Sequence, residues 1–153
     1  MFKLLSNKYE NLAFMSSSIV QLTPSTCPYT NVRGVDLIWS PNYPNNYGNK
    51  EDCTWVLKVP EGTHIMLTPD TFDILGYDGY PCYDYDALRI YDLIDGREEL
   101  IGEYCNIVNP LSSSILSKGN GLKVHFTTNW KGTAKGFQFK YSAAEPGNHF
   151  IKW

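Results

Sequence analysis

At 153 residues, with 13 Lys and Arg against 16 Asp and Glu and a formal net charge of −3, the chain is the size of one domain and only mildly acidic. Charged residues make up 19%, and the basic ones are scattered, so there is no electrostatic footprint for nucleic acid or an anionic membrane. No apolar run approaches the roughly 18–20 residues of a membrane-inserted helix.

Residues 1–26 read as a leader or linker. MFKLLSNKYENLAFMSSSIVQ carries an early Lys3, but Asn7, Lys8, Glu10 and Asn11 break the apolar stretch that a signal peptide needs. From residue 35 onward, short alternating runs predict half-buried strands. Val35, Leu37 and Trp39 share one parity, followed by Trp55, Leu57 and Val59, then Ile65 and Leu67, then Leu88 and Ile90. Leu122, Val124 and Phe126 continue the series, and Phe137, Phe139 and Tyr141 close it. Turn signals separate them: PNYPNNYGN at 41–49, PEG at 60–62, DG at 78–79 and 95–96, and GNG at 119–121. No stretch carries a helical apolar period, so the expected fold is all-β, an antiparallel sandwich or barrel. Residues 143–153 read as a C-terminal tail.

Cys27, Cys53, Cys82 and Cys105 form an even set without the paired spacing of a zinc site. Two disulfides and an oxidising compartment are the expectation, with four free buried thiols as the alternative. Four cysteines allow three connectivities; pairing chain neighbours would close two moderate loops, each contributing about 3–4 kcal/mol.

Catalytic constellations are missing from the sequence. There is no GxSxG elbow, HExxH pair, phosphate-cradling glycine loop or DxDxDG calcium loop. His64, His125 and His149 lie far apart, the first two on the polar parity of their strands. Asp84 and Asp86 could do acid–base work in principle, although neighbouring aspartates in a loop are more often solvated. The expectation is that the chain is not an enzyme.

Several words occur in one order: WSPNYPNNY (39–47), CTWVLKVPEG (53–62), FDIL (72–75), YDYDALRIYD (83–92) after Cys82, GEYC (102–105), LKVHFTTN and GFQFKY within 122–141. On these words the chain resembles the CUB domain family over residues 27–142. The resemblance implies an antiparallel β-sandwich of jelly-roll-like topology with neighbour-paired disulfides, Cys27 to Cys53 and Cys82 to Cys105. It further implies a non-catalytic, extracellular or secreted interaction module, usually part of a larger protein, that binds proteins and sometimes glycans.

Many members hold calcium at one edge, where acidic ligands then engage a basic side chain of the partner. Of the ligand positions that the resemblance implies, Tyr47 and Asp86 match, but Leu75 stands in place of a glutamate and Asn129 in place of an aspartate. One of three carboxylates remains, and ligand charge is a main lever on calcium affinity. Asp78 and Asp84, in the same loop, are the candidates to replace the lost oxygens. Asp92 and Asp95 suit the turn before Gly96, and Asp73 suits a structural acceptor of backbone hydrogen bonds.

Tyr77, Tyr80 and Tyr83 lie in a loop with Gly79 and Pro81, stapled at Cys82, where not all of them can fill a core. Tyr is enriched at protein contacts, which makes the loop a candidate recognition surface. The plainer alternative is half-buried packing. A glycan-binding module that stacks sugars on exposed Tyr and on Trp130 is the second functional reading.

Overall fold

Alternation of apolar and polar side chains has its expected result in a computed structural model that describes residues 27, 29–32, 35–77, 80–106 and 110–147. The leader expected over 1–26, Asp78, the side chain of Tyr83, His149 and the end of the tail lie outside the described residues. Among the described residues the strands are β1 (Tyr29–Val32), β2 (Val35–Trp39), β3 (Asp52–Lys58), β4 (His64–Asp73) and β5 (Ala87–Ile94). They continue with β6 (Arg97–Tyr104), β7 (Ile115–Leu116), β8 (Gly121–Thr127) and β9 (Gly136–Ala144). A single 3-10 turn, Cys82–Asp84, interrupts the loop before β5. β9 runs past residue 142, where the sequence suggested the domain would end.

Two antiparallel sheets face each other, one ordered β1-β2-β9-β4-β7 and the other β3-β8-β5-β6. Between them lie Trp55 and Leu57 of β3, Ile65 and Leu67 of β4, Leu88 and Ile90 of β5, the β8 triplet Leu122, Val124 and Phe126, and Phe137 and Phe139 of β9, all buried. Phe137 stands edge-on to both Trp55 and Phe126, with centroids 5.5 Å apart in each pair, a favoured aromatic geometry.

β2 differs from its sequence reading. Ile38 is the buried residue, at 0% exposure, while Leu37 and Trp39 are only partly buried. The cause is pairing: Ile38 lies opposite Phe139, and directly opposed residues share a face, whereas Leu37 opposes Lys140 and Trp39 opposes Gln138. Asp92 also departs from its expected place in a turn. It is buried on β5, and its Oδ1 accepts the Lys118 N–H at 2.9 Å. The turn itself is made by Asp95 and Gly96, both at positive φ, as a two-residue hairpin requires.

Disulfides join Cys27 to Cys53 and Cys82 to Cys105, with Cα separations of 5.4 and 5.7 Å. The first ties the start of the described chain to β3; the second ties the 3-10 turn to the residue after β6. On the four-stranded sheet, Arg89 pairs with Glu103, Lys123 with Glu98 and His125 with Asp52.

Candidate functional site

Three loops meet at one end of the sandwich: 40–51 between β2 and β3, 74–86 between β4 and β5, and 128–135 between β8 and β9. Backbone bonds tie the first to the third, Tyr47 N–H to Ala134 O and Lys50 N–H to Asn129 O. Asn106, next to Cys105, fixes the start of the second loop. Its side chain donates to Asp73 Oδ1 at 2.6 Å and accepts the Ile74 N–H at 2.9 Å. Asp73 Oδ2 takes the Lys135 N–H, so this carboxylate is a structural acceptor.

Asp86 sits where the loops converge, at 0% exposure. Its Oδ2 accepts the Tyr47 hydroxyl at 2.7 Å, and its Oδ1 accepts the Asn129 N–H at 2.9 Å. The Tyr47 oxygen in turn accepts the Leu75 N–H at 2.9 Å, and the Tyr47 ring stands edge-on to Phe126. Burial pushes the Asp86 carboxyl above the usual carboxylate range, against the opposing pull of its two hydrogen bonds. Tyr47 is driven well above an ordinary phenol, chiefly by burial, and stays protonated as the donor.

A calcium ion wants about six to eight oxygens, several of them carboxylate. Here both Asp86 oxygens are engaged internally, and Asn129 Oδ1 accepts the Lys131 N–H at 2.7 Å. Leu75 offers only methyl groups, packed so closely on the neighbouring loop that a Cβ added to Gly132 would lie 2.5 Å from Leu75 Cδ2. Asp84 is exposed. Among the described residues no group of three or more His, Cys, Asp or Glu could hold a metal ion. This donor set does not fit calcium.

Outside the buried group lies an open cleft of about 540 Å³ lined by Tyr77, Tyr80, Asp84, Tyr85, Asn129, Trp130 and Lys131. Tyr77, Tyr80 and Trp130 are 42%, 54% and 71% exposed. Tyr85 is the hub, its ring 4.5 Å from that of Tyr77 and 5.8 Å from that of Tyr80. The Lys131 ammonium lies 6.0 Å from the Trp130 ring.

Of the residues singled out from sequence, Tyr47, Asp86 and Asn129 are brought together, Asp84 lies in the cleft, and Tyr77 and Tyr80 form its rim. Tyr85 and Lys131 were missed. Tyr85 falls in the word YDYD, but its place in the cleft depends on the 3-10 turn before it, and that leaves no periodic signal. The histidines serve elsewhere: His64 Nδ1 is 3.0 Å from Ser117 O, and His125 Nε2 is 2.8 Å from Asp52 Oδ1.

Comparison with known proteins follows the same outline. A profile described as CUB domain matches residues 27–141. The chain is 33% identical over 104 residues to Zinc metalloproteinase nas-39 of Caenorhabditis elegans, covering 68% of this chain and 11% of that protein. It is 34% identical over 107 residues to Tumor necrosis factor-inducible gene 6 protein of Homo sapiens, covering 70% of this chain and 37% of that protein. The chain therefore spans well under half the length of either relative. Its fold is similar to that of the MASP-1 CUB2 domain solved bound to Ca2+, with a TM-score of 0.62 at 24% identity, covering 75% of this chain and 96% of that one.

Proposed function

The chain belongs to the CUB domain family, and from that membership we propose that it is a non-catalytic extracellular module that binds another protein through the cleft of Tyr77, Tyr80, Tyr85 and Trp130. The observation that carries this reading is the exposure of three large aromatic side chains around one opening. Burying them against a partner removes apolar surface from water at about 25 cal/mol per Å², and rigid rings lose little conformational entropy in doing so. Asp84 beside the tyrosine faces suits a basic side chain of the partner, by charge pairing and by cation–π attraction. Two disulfides fit an oxidising, extracellular setting.

The absence of catalysis is supported by what the titratable groups do. Asp86 is fully buried, with each oxygen accepting an internal hydrogen bond, which keeps it from a substrate, and His64 and His125 are engaged by Ser117 and Asp52. Asp84 therefore has no carboxylate or imidazole partner among the described residues with which to share proton transfer.

The test is a binding screen of the oxidised protein against purified extracellular domains, run beside Tyr80→Ala and Trp130→Ala. We expect a partner whose affinity falls at least about tenfold in both variants, the behaviour of contact hot spots. Partners bound equally by all three proteins would move the contact surface elsewhere and overturn the assignment. Trp130-dependent signals on a glycan array, with none on the protein panel, would establish the carbohydrate reading instead.

A further inference from the structure

A similar fold is solved with Ca2+, yet the donor set here does not fit the ion. We propose that the three loops are locked by a metal-free clasp, which builds the aromatic cleft without any divalent cation.

The clasp is a continuous relay. Leu75 N–H donates to the Tyr47 oxygen, the Tyr47 hydroxyl donates to Asp86 Oδ2, and Asn129 N–H donates to Asp86 Oδ1. Asn129 Oδ1 then receives the Lys131 N–H. Loop 40–51 contributes Tyr47, loop 74–86 contributes Leu75 and Asp86, and loop 128–135 contributes Asn129 and Lys131. Each loop is thus held to another by a bond that ends on a buried group, where hydrogen bonds are strong and their loss is costly. Among the described residues no buried side-chain nitrogen or oxygen lacks a hydrogen-bond partner, so none of them needs a cation to be satisfied. A cation on Asp86 would have to share oxygens that already accept the Tyr47 hydroxyl and the Asn129 amide, and displacing Tyr47 would leave its buried hydroxyl without an acceptor. Leu75 seals the gap by packing on Gly132.

Three of the four described rings of the cleft are close in sequence to a clasp member, and the fourth, Tyr80, stands 5.8 Å from one of those three, Tyr85. Tyr85 precedes Asp86, Tyr77 is two residues from Leu75, and Trp130 lies between Asn129 and Lys131. Holding the clasp therefore holds the rings.

The test needs no knowledge of the partner, so it stands apart from the binding screen. Thermal unfolding and titration calorimetry on the oxidised full chain are compared in chelator and in about 5 mM calcium, above the ~10⁻⁴–10⁻³ M range of extracellular sites. The wild type is expected to unfold at the same temperature in both and to show no binding heat. Tyr47→Phe is expected to lower the unfolding temperature equally in both. Leu75→Glu combined with Asn129→Asp places two more carboxylates beside Asp86 and is expected to gain a calcium-dependent rise of several degrees, as saturating ligand gives. A saturable calcium-dependent rise in the wild type overturns the proposal, whichever aspartate supplies it. If the double variant fails to fold, the wild-type comparison still decides; if it folds without any calcium response, the claim that donors are what the site lacks is lost.

Discussion

At the scale of single residues, Asp86 shows how one carboxylate can be fixed in position by the relay yet tuned in charge. Because burial raises its carboxyl, there is a window between the ordinary and the raised value in which the folded chain holds a proton that the unfolded chain has shed. Its contribution to stability is therefore fully present below the ordinary value and is lost as pH rises through the raised one. Once protonated, the carboxyl can keep the Asn129 N–H on one oxygen and donate from the other to Tyr47. Asp86→Asn has no such titration. Urea unfolding at pH values from about 7 down to about 4 is expected to move the stability difference between the two proteins in favour of wild type. A difference that is flat across that range would show that the two hydrogen bonds, not burial, control the group.

At the scale of elements, the passage from loop 128–135 into β9 turns on Gly136, whose φ is +86°. A Cβ there would overlap Ser40 Oγ, which accepts the Phe137 N–H at 3.0 Å and so ties β9 to the end of β2. Gly136→Ala combines backbone strain with the loss of a buried hydrogen bond. The expected cost is about 3 kcal/mol, read from chemical denaturation. A cost below about 1 kcal/mol would mean that Ser40 can move aside. These elements also mark what could be read from sequence. β8 and β9 were legible because their large apolar residues occupy one parity, and β3, β4 and β5 because the sequence reading followed the pairs that prove buried, Trp55 and Leu57, Ile65 and Leu67, and Leu88 and Ile90, although Val56, Met66 and Leu93 stand on the other parity. β2 was not, because VDLIWS has apolar residues on both parities, and its pairing with β9 over a long sequence separation chose Ile38. In the site, Tyr47 and Asp86 were legible from the family words, and the loss of carboxylates at Leu75 and Asn129 from their side-chain chemistry. That Asp86 would be satisfied from within was not legible. It depends on backbone donors in loops, and these carry no side-chain signature.

At the scale of the whole molecule, the proposed recognition surface lies apart from the groups that hold the fold. The core and the two disulfides hold the sandwich, whereas Tyr80 and Trp130 project from it. Replacing either by alanine is expected to change unfolding free energy by no more than about 0.5 kcal/mol, the range of exposed sites, while still weakening partner binding. Unfolding curves measured beside the binding screen check this; a large stability loss would make the rings packing elements rather than a contact surface.

The sheet order leaves β6 bonded only to β5 among the described strands, with Leu100 on it 57% exposed. Just before Leu100 on the same strand stand Glu98, held by Lys123, and Glu99, held by Lys118. Such pairs add little to folding. Charged side chains on an edge strand are a general device against edge-to-edge pairing of sheets, and β6 carries two of them beside its exposed leucine.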